Sequence, residues 1–180
     1  GFTRLVVNSL TLPKAHQFGV DLQNICFELR SGEILGVAGV SGNGQSELLS
    51  ALSGEDRRAT PESIVLNSKP IGGTWPQERR ALGLGFVPEE RLGRSAVPTL
   101  SLADNVLLTD NTSERVVYGW IKRKAVAAQA RAIINQYHVK AASEYAAAAS
   151  LSGGNLQKFV VGREVMQLPQ VLIVSQPTWG

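Results

Sequence analysis

The stretch that most constrains this chain is "EILGVAGVSGNGQSELLSAL" at residues 33–52. It joins a short apolar run to a glycine-rich turn, then to a segment with Leu48, Leu49 and Leu52 at helical spacing. A strand, a glycine loop and a helix in that order make a cradle for phosphate. Backbone N–H groups wrap the anion, and the helix adds its positive N-terminal end. The matching pattern is G-x-x-x-x-G-K-S/T. Gly39, Gly44 and Ser46 fall at its spacing, but Gln45 stands where the lysine belongs. Gly39, Gly42 and Gly44 allow the close approach, and Ser46 keeps a hydroxyl suited to Mg²⁺. Gln45 can donate a hydrogen bond but balances no charge. Alone, the stretch also fits a glycine turn that binds nothing.

The flanks read as a mixed α/β chain. "RLVV" (4–7), "NICFEL" (24–29) and "EILGVAG" (33–39) have the look of strands, as do "ESIVLN" (62–67) and "GLGFVP" (83–88), the last stopped by proline. "WPQERRAL" (75–82) reads as a short helix with Pro76 in its first turn. From about residue 100 to 168 the pattern turns helical. "SLADNVLL" offers Ser101 or Asp104 as N-cap. "IKRKAVAAQARAIINQYHV" (121–139) is amphipathic, with Ala125, Ala128, Ala132 and Ile133 expected on one face. "SEYAAAAS" (143–150) fits a loop or a frayed helix, and another helix is expected between "LSGGN" and "QLP". "QVLIVS" (170–175) is a short branched apolar run of the kind found in buried parallel strands. The expected organisation is one domain over 1–180. Residues 1–99 and 169–180 would form an α/β core, and 100–168 an inserted helical subdomain.

Composition narrows the partners. The 180 residues carry a net charge of +3, a mild and dispersed surplus that admits small anions and gives no reason to expect nucleic acid. Cys26 is the single cysteine, so no disulfide forms within the chain; it is expected to be a small buried hydrophobe in a reducing compartment. No apolar run reaches the roughly 18–20 residues that span a bilayer, and the N-terminus lacks signal-peptide character. The chain is therefore read as soluble, with any membrane role coming through a partner. The two histidines, His16 and His138, form no metal cluster with the cysteine, and His138 is expected at a helix surface. Trp75, Trp120 and Trp179 suit either packing or an interface.

"LSGGNLQ" (151–157) follows the glycine loop by about 110 residues, and "VLIVSQPTWG" closes the chain. In order, "GEILGVAGVSGNGQSEL", "GLGFVPEERLGR", "LSGGNLQK" and "VLIVSQPTWG" resemble the ATPase domain of ABC transporters. They are most similar to the second nucleotide-binding half of tandem ATPases in importers of simple sugars or nucleosides. The resemblance covers nearly the whole chain. It implies a P-loop NTPase core with a β-rich N-terminal subdomain and an inserted helical subdomain. The family continues into an aspartate-bearing loop and a switch histidine, so the chain is expected to be a piece of a longer one.

The resemblance also assigns roles. ATP would be held by Gly39, Ser41, Gly42, Asn43, Gly44, Gln45, Ser46 and Glu47, with Mg²⁺ on Ser46. Leu151, Ser152, Gly153, Gly154 and Asn155 match the signature that closes on nucleotide held by an opposite half. Phe18, with His16 behind it, would stack on the base, although core packing suits Phe18 equally. Four positions depart from the family. Gln45 replaces the lysine, Ser175 and Gln176 replace an Asp-Glu pair, and Glu89 replaces a glutamine near the attacking water. No catalytic residue is therefore assigned, and the chain alone is expected to hydrolyse little ATP. Glu89 suits a metal contact, or Glu89 and Glu90 a solvated face; Arg91 and Arg94 suit a partner or an exposed run. The implied partners are a second nucleotide-binding domain, transmembrane permease subunits and, indirectly, a solute-binding protein. The implied place is peripheral, on the cytoplasmic face of a bacterial inner or plasma membrane. Two alternatives stay open: a non-hydrolytic regulatory or dimerisation module, and a soluble ABC ATPase of DNA repair or translation.

Overall fold

The computed structural model describes residues 1–90, 93–110, 116–117 and 120–176, without the side chains of 116–117. The chain divides into two compact units, residues 1–84 and 85–180.

The first unit is built on an antiparallel sheet of order β2-β1-β3-β4. Its strands are β1 (Thr3–Leu12), β2 (Leu22–Arg30), β3 (Ile64–Leu66) and β4 (Lys69–Pro70). Leu5, Val7, Leu10 and Leu12 of β1 are buried, as are Ile64 and Leu66 of β3. The inward set jumps from Val7 to Leu10 because the β1–β2 register shifts there. Ser9 takes a φ of 45° at that shift, as expected of a bulge. β3 and β4 are joined through Asn67 and Ser68, both at positive φ, the conformation of a tight hairpin turn.

Two helices follow from local chemistry. α1 (Gln45–Ser53) points Leu48, Ala51 and Leu52 inward and ends at Gly54 with φ 91°. α2 (Pro76–Ala81) has proline in its first turn, and the Glu78 carboxylate accepts from the Trp75 N–H at 2.7 Å. Arg79 on α2 is wholly buried. Its Nη1 donates to the Ala51 and Leu52 carbonyls at the end of α1, and its Nη2 to the Gly72 carbonyl. A cation at a helix C-terminus meets the negative end of the dipole and satisfies its orphan carbonyls. Burial pushes this guanidinium down to about 10, still charged at neutral pH.

In the second unit, β5 (Leu84–Val87) pairs with β8 (Val171–Val174), and the Ser175 N–H donates to the Val87 carbonyl at 2.9 Å. Between them lie α3 (Leu102–Leu107), a small hairpin of β6 (Val116–Val117) and β7 (Trp120–Ile121), α4 (Arg123–Gln136) and α5 (Gly153–Val165). Val87, Leu102, Val106, Ala130, Ile133, Phe159 and Val160 share one core. Each large member contributes about 1.5–3 kcal/mol by leaving water. Gly162 lets α5 approach Tyr137, whose ring would lie 2.6 Å from a Cβ there. Asn105 is wholly buried and pins the preceding loop, accepting from the Val97 N–H at 2.7 Å and donating to the Val97, Leu100 and Ser101 carbonyls.

The expected α/β class and the β-rich beginning are present, and most elements fall where periodicity put them. Four details differ. Residues 33–39 form no strand; Ile34 is fully exposed, as are Leu35, Val37 and Val40 in large part. β-propensity reflects fit to a paired, half-buried surface, and this run lies in no ladder among the described residues. Cys26 is exposed because β2 turns Ile25, Phe27 and Leu29 toward the half-buried side and Cys26 to the other. The buried face of α4 is Val126, Ala127, Ala130 and Ile133; Ile133 falls where expected, but Ala125, Ala128 and Ala132 do not, because the branched Val126 and Ile133 set the face and Ala127 and Ala130 share it. Ser101, not Asp104, caps α3, accepting from the Asp104 N–H at 3.0 Å. Residues 143–150 resolve to a loop ending in the 3-10 turn Ala148–Ser150, and His138 is exposed as expected.

Candidate functional site

The glycine loop turns tightly ahead of α1. Gly42 and Gly44 have φ of 87° and 102°, values that side chains rarely tolerate. The Asn43 N–H closes the turn onto the Val40 carbonyl at 3.2 Å, and Leu48 N–H to Gly44 O makes the first helical bond at 3.0 Å. The N–H groups of the first helical turn have no intrahelical acceptor, which makes this end attractive to an anion. Ser41, Gly42, Asn43 and Ser46 are exposed around it. Gln45 does not extend from the loop: its Nε2 donates to the Val40 carbonyl at 3.2 Å. A Cβ at Gly39 would strike that same amide. Glu47 is also engaged, accepting from the Val20 N–H at 3.1 Å and tying α1 to the loop before β2.

Beside α1 lies a cavity of about 680 Å³. Ser46, Glu47 and Ser50 form one wall; Leu12, Pro13, His16 and Val20 form a second; Glu55, Asp56, Arg57 and Arg58 complete it. Two arginines serve different ends there. Arg58 makes a two-pronged pair with Asp56 (Nε–Oδ1 3.0 Å, Nη2–Oδ2 2.8 Å) and also donates to the Pro13 carbonyl at 2.9 Å. That hydrogen bond from Arg58 holds the Asp56 carboxyl below its ordinary range. Arg57 instead lies over the Trp75 ring, 3.3 Å from its centroid. Phe18 is 84% exposed and off the cavity wall; His16 is the aromatic residue on it. Core packing for Phe18 is thus excluded.

The second unit presents the LSGGN segment at a helix start. Leu151 is buried, and Ser152 caps α5, accepting from the Asn155 N–H. Asn155 bridges backward: its Nδ2 donates to Ser152 Oγ at 2.9 Å and its Oδ1 accepts from the Lys140 N–H at 2.8 Å. Gly153 and Gly154 are exposed, and a Cβ built on either meets nothing within 4 Å. Glycine in a helix costs about 0.8–1 kcal/mol against alanine, and this unit's own packing gives no reason for it here.

The remaining positions supply little charge. Ser175 is buried at the end of β8, and Gln176 is exposed at φ 47°. Glu89, Glu90 and Arg94 are exposed; Arg91 and residues 177–180, Trp179 among them, lie outside the described residues. Trp75 and Trp120 are largely exposed, and the Trp75 ring carries the Arg57 stack. Among the described residues no group of three His, Cys, Asp or Glu side chains is placed to hold a metal ion. The Ser46 hydroxyl suits a Mg²⁺ ion that arrives on phosphates, and nothing beside it forms a protein cage. Periodicity could not reveal the Arg57–Trp75 stack, the buried Arg79, or the buried Arg163–Glu164 neighbours of α5. Each is an ordinary surface-type residue by sequence.

This arrangement defines a nucleotide-binding cassette, and comparison with solved structures agrees on the fold. A nucleotide-free ATP-binding cassette from an ABC transporter superposes with a TM-score of 0.74 at 17% identity, covering 99% of this chain and 71% of that one. A dimeric ATP-binding cassette in a post-hydrolysis state bound to ADP and Pi gives 0.74 at 18% identity, covering 97% and 75%. The ABC transporter family model matches residues 22–179, and the chain belongs to that family. It is 36% identical over 168 residues to the nucleoside import ATP-binding protein NupA of Lactococcus lactis, covering 93% of this chain and 33% of the relative. It is 36% identical over 160 residues to the guanosine import ATP-binding protein NupO of Bacillus subtilis, covering 88% and 31%. A ribose import ATP-binding protein of Rubrobacter xylanophilus is 37% identical over 161 residues, covering 88% and 32%. The chain spans about a third of the length of these curated relatives.

Proposed function

We propose that this chain is an ATP-binding module of an importer for nucleosides or simple sugars, and that its own site is the weak one of a pair. It lends Ser152, Gly153 and Gly154 to ATP held by an opposite nucleotide-binding domain. Its own loop, residues 39–46, binds nucleotide without fast turnover. The importer relatives support the transport role, and the dimeric cassette supports pairing with a second domain. Permease subunits would place the module at the cytoplasmic face of the membrane; no helix among the described residues is long and apolar enough to cross it. Mg²⁺ would enter with ATP, contacted by Ser46.

The observation that carries the asymmetry is the contrast between the two glycine segments. Gly153 and Gly154 are open, at a capped helix start, with no internal cause for glycine. In the other loop the lysine position holds a neutral side chain already bonded to its own backbone. Ser175 and Gln176 bring no carboxylate, and loss of a general base costs about 10²–10⁴ in rate. The test is Gly153→Asp in the assembled importer. ATPase activity is expected to collapse through repulsion of the partner-held phosphates, and near-normal activity would sink the proposal.

A further inference from the structure

The net charge of +3 hides a local concentration. Residues 120–143 hold five of the 18 Lys and Arg residues and none of the 15 Asp and Glu residues. The surplus expected to be dispersed is gathered on one stretch. Its densest part is Lys122, Arg123 and Lys124 at the start of α4. That is the positive end of the helix dipole, where cations are unfavourable. The first turn has no acidic residue and no side-chain cap to offset them. Among the described residues none of the three is in an ion pair. Arg131, further along the helix, is paired with Glu144.

Directly before these cations comes β7. Neighbouring strand residues point to opposite faces, yet Trp120 is 81% exposed and Ile121 44%. Neither the Trp120 side nor the Ile121 side of the β6–β7 hairpin is therefore covered, and a two-stranded hairpin is marginal in water by itself. An exposed indole and an aliphatic side chain beside three cations have the chemistry of a membrane-interface anchor. The apolar groups enter the headgroup layer while Lys and Arg meet anionic lipid. A protein partner fits less well, because lysine is depleted at protein–protein interfaces. We propose that Trp120, Ile121, Lys122, Arg123 and Lys124 form a docking surface for an anionic phospholipid membrane. The choice of lipid over nucleic acid rests on the proposed place of the module at a membrane face. Vesicle binding needs neither nucleotide nor permease, so its failure leaves that proposal standing.

Co-sedimentation of the chain with phospholipid vesicles tests it. Binding is expected with vesicles that are about one-third phosphatidylglycerol in phosphatidylcholine, and not with phosphatidylcholine alone; it is expected to be largely screened at about 0.5 M salt. The triple variant Lys122→Gln, Arg123→Gln, Lys124→Gln is expected to bind about a hundredfold more weakly, and Trp120→Ala about tenfold. Removing cations from a helix N-terminus relieves the dipole, so the triple variant is expected to keep or raise its thermal midpoint, and its lost binding is not lost folding. No binding to anionic vesicles overturns the proposal. So does unchanged binding in the triple variant, which moves the contact elsewhere, or in Trp120→Ala, which leaves only charge adhesion. Tighter capture of a single-stranded oligonucleotide than of vesicles overturns it in favour of nucleic acid. An acidic peptide that binds as tightly as the vesicles and shows the same two losses overturns it in favour of a protein partner.

Discussion

The side-chain amide of Gln45 donates to the backbone carbonyl of Val40 at 3.2 Å, so the residue at the lysine position bonds the loop it belongs to. The loop keeps its two left-handed glycines and its helix N-terminus, and lacks a charge directed at a ligand. Substitution Gln45→Lys adds that charge. The chain is expected to bind ATP about tenfold more tightly, because a hydrogen bond to a charged group is worth about 1.5–3 kcal/mol. Titration calorimetry reads this directly, and an affinity unchanged by the lysine would show that the loop does not hold the phosphates.

The open glycines of the LSGGN segment carry an opposite pair of expectations. Gly153→Ala and Gly154→Ala meet no atom in this chain, so each is expected to stabilise it by about 0.5 kcal/mol. The same changes are expected to lower ATPase activity in the assembled importer, where backbone must come close to phosphate. A thermal midpoint that rises while activity falls is the signature. Loss of both would place the glycines in the fold, not in the partner's site.

The Asp56–Arg58 pair gives a pH dependence with a definite sign. The hydrogen bond from Arg58 lowers the Asp56 carboxyl in the folded chain below its ordinary value of 3.8. The folded state therefore prefers the ionised form. Its contribution is full above that ordinary value and is lost as pH falls through the lower, folded one. Melting followed between about pH 2 and 6 should show stability falling at the acid end, and Asp56→Asn should flatten part of that fall. An unchanged slope would mean that the pair is not formed in solution. Because Arg58 also holds the Pro13 carbonyl, the variant is expected to loosen the cavity rim.

Arg79 is expected to be the costliest single surface-type residue to remove from the first unit. Arg79→Ala strands the Ala51, Leu52 and Gly72 carbonyls in a site already closed to water. Leaving buried groups unpaired costs about 1–3 kcal/mol each, so a loss of about 3 kcal/mol or more is expected in chemical denaturation. Its folded value of about 10 lies below its ordinary one, so stability from this group is flat at neutral pH and changes only above that value. A drop under 1 kcal/mol would show that water replaces the guanidinium.

Local chemistry made much of this protein legible in advance. The proline start of α2 and the serine cap of α3 are short-range effects, and sequence displays short-range effects. So is the spacing of Gly39, Gly44 and Ser46, which marked the loop, and the departures at Gln45, Ser175 and Gln176, on which the proposal of a weak site rests. Tertiary structure decided what depends on a neighbour. Residues 33–39 have the composition of a strand, yet a strand exists only where another chain segment completes its ladder. Phe18 and His16 are two residues apart and both exposed, and only the fold puts His16 on the cavity lining and Phe18 off it. Arg57, Arg58 and Arg79 are alike as letters. Folding set one on an indole, one on a carboxylate and one beneath a helix end, because burial and partner geometry are properties of the surroundings and not of the residue.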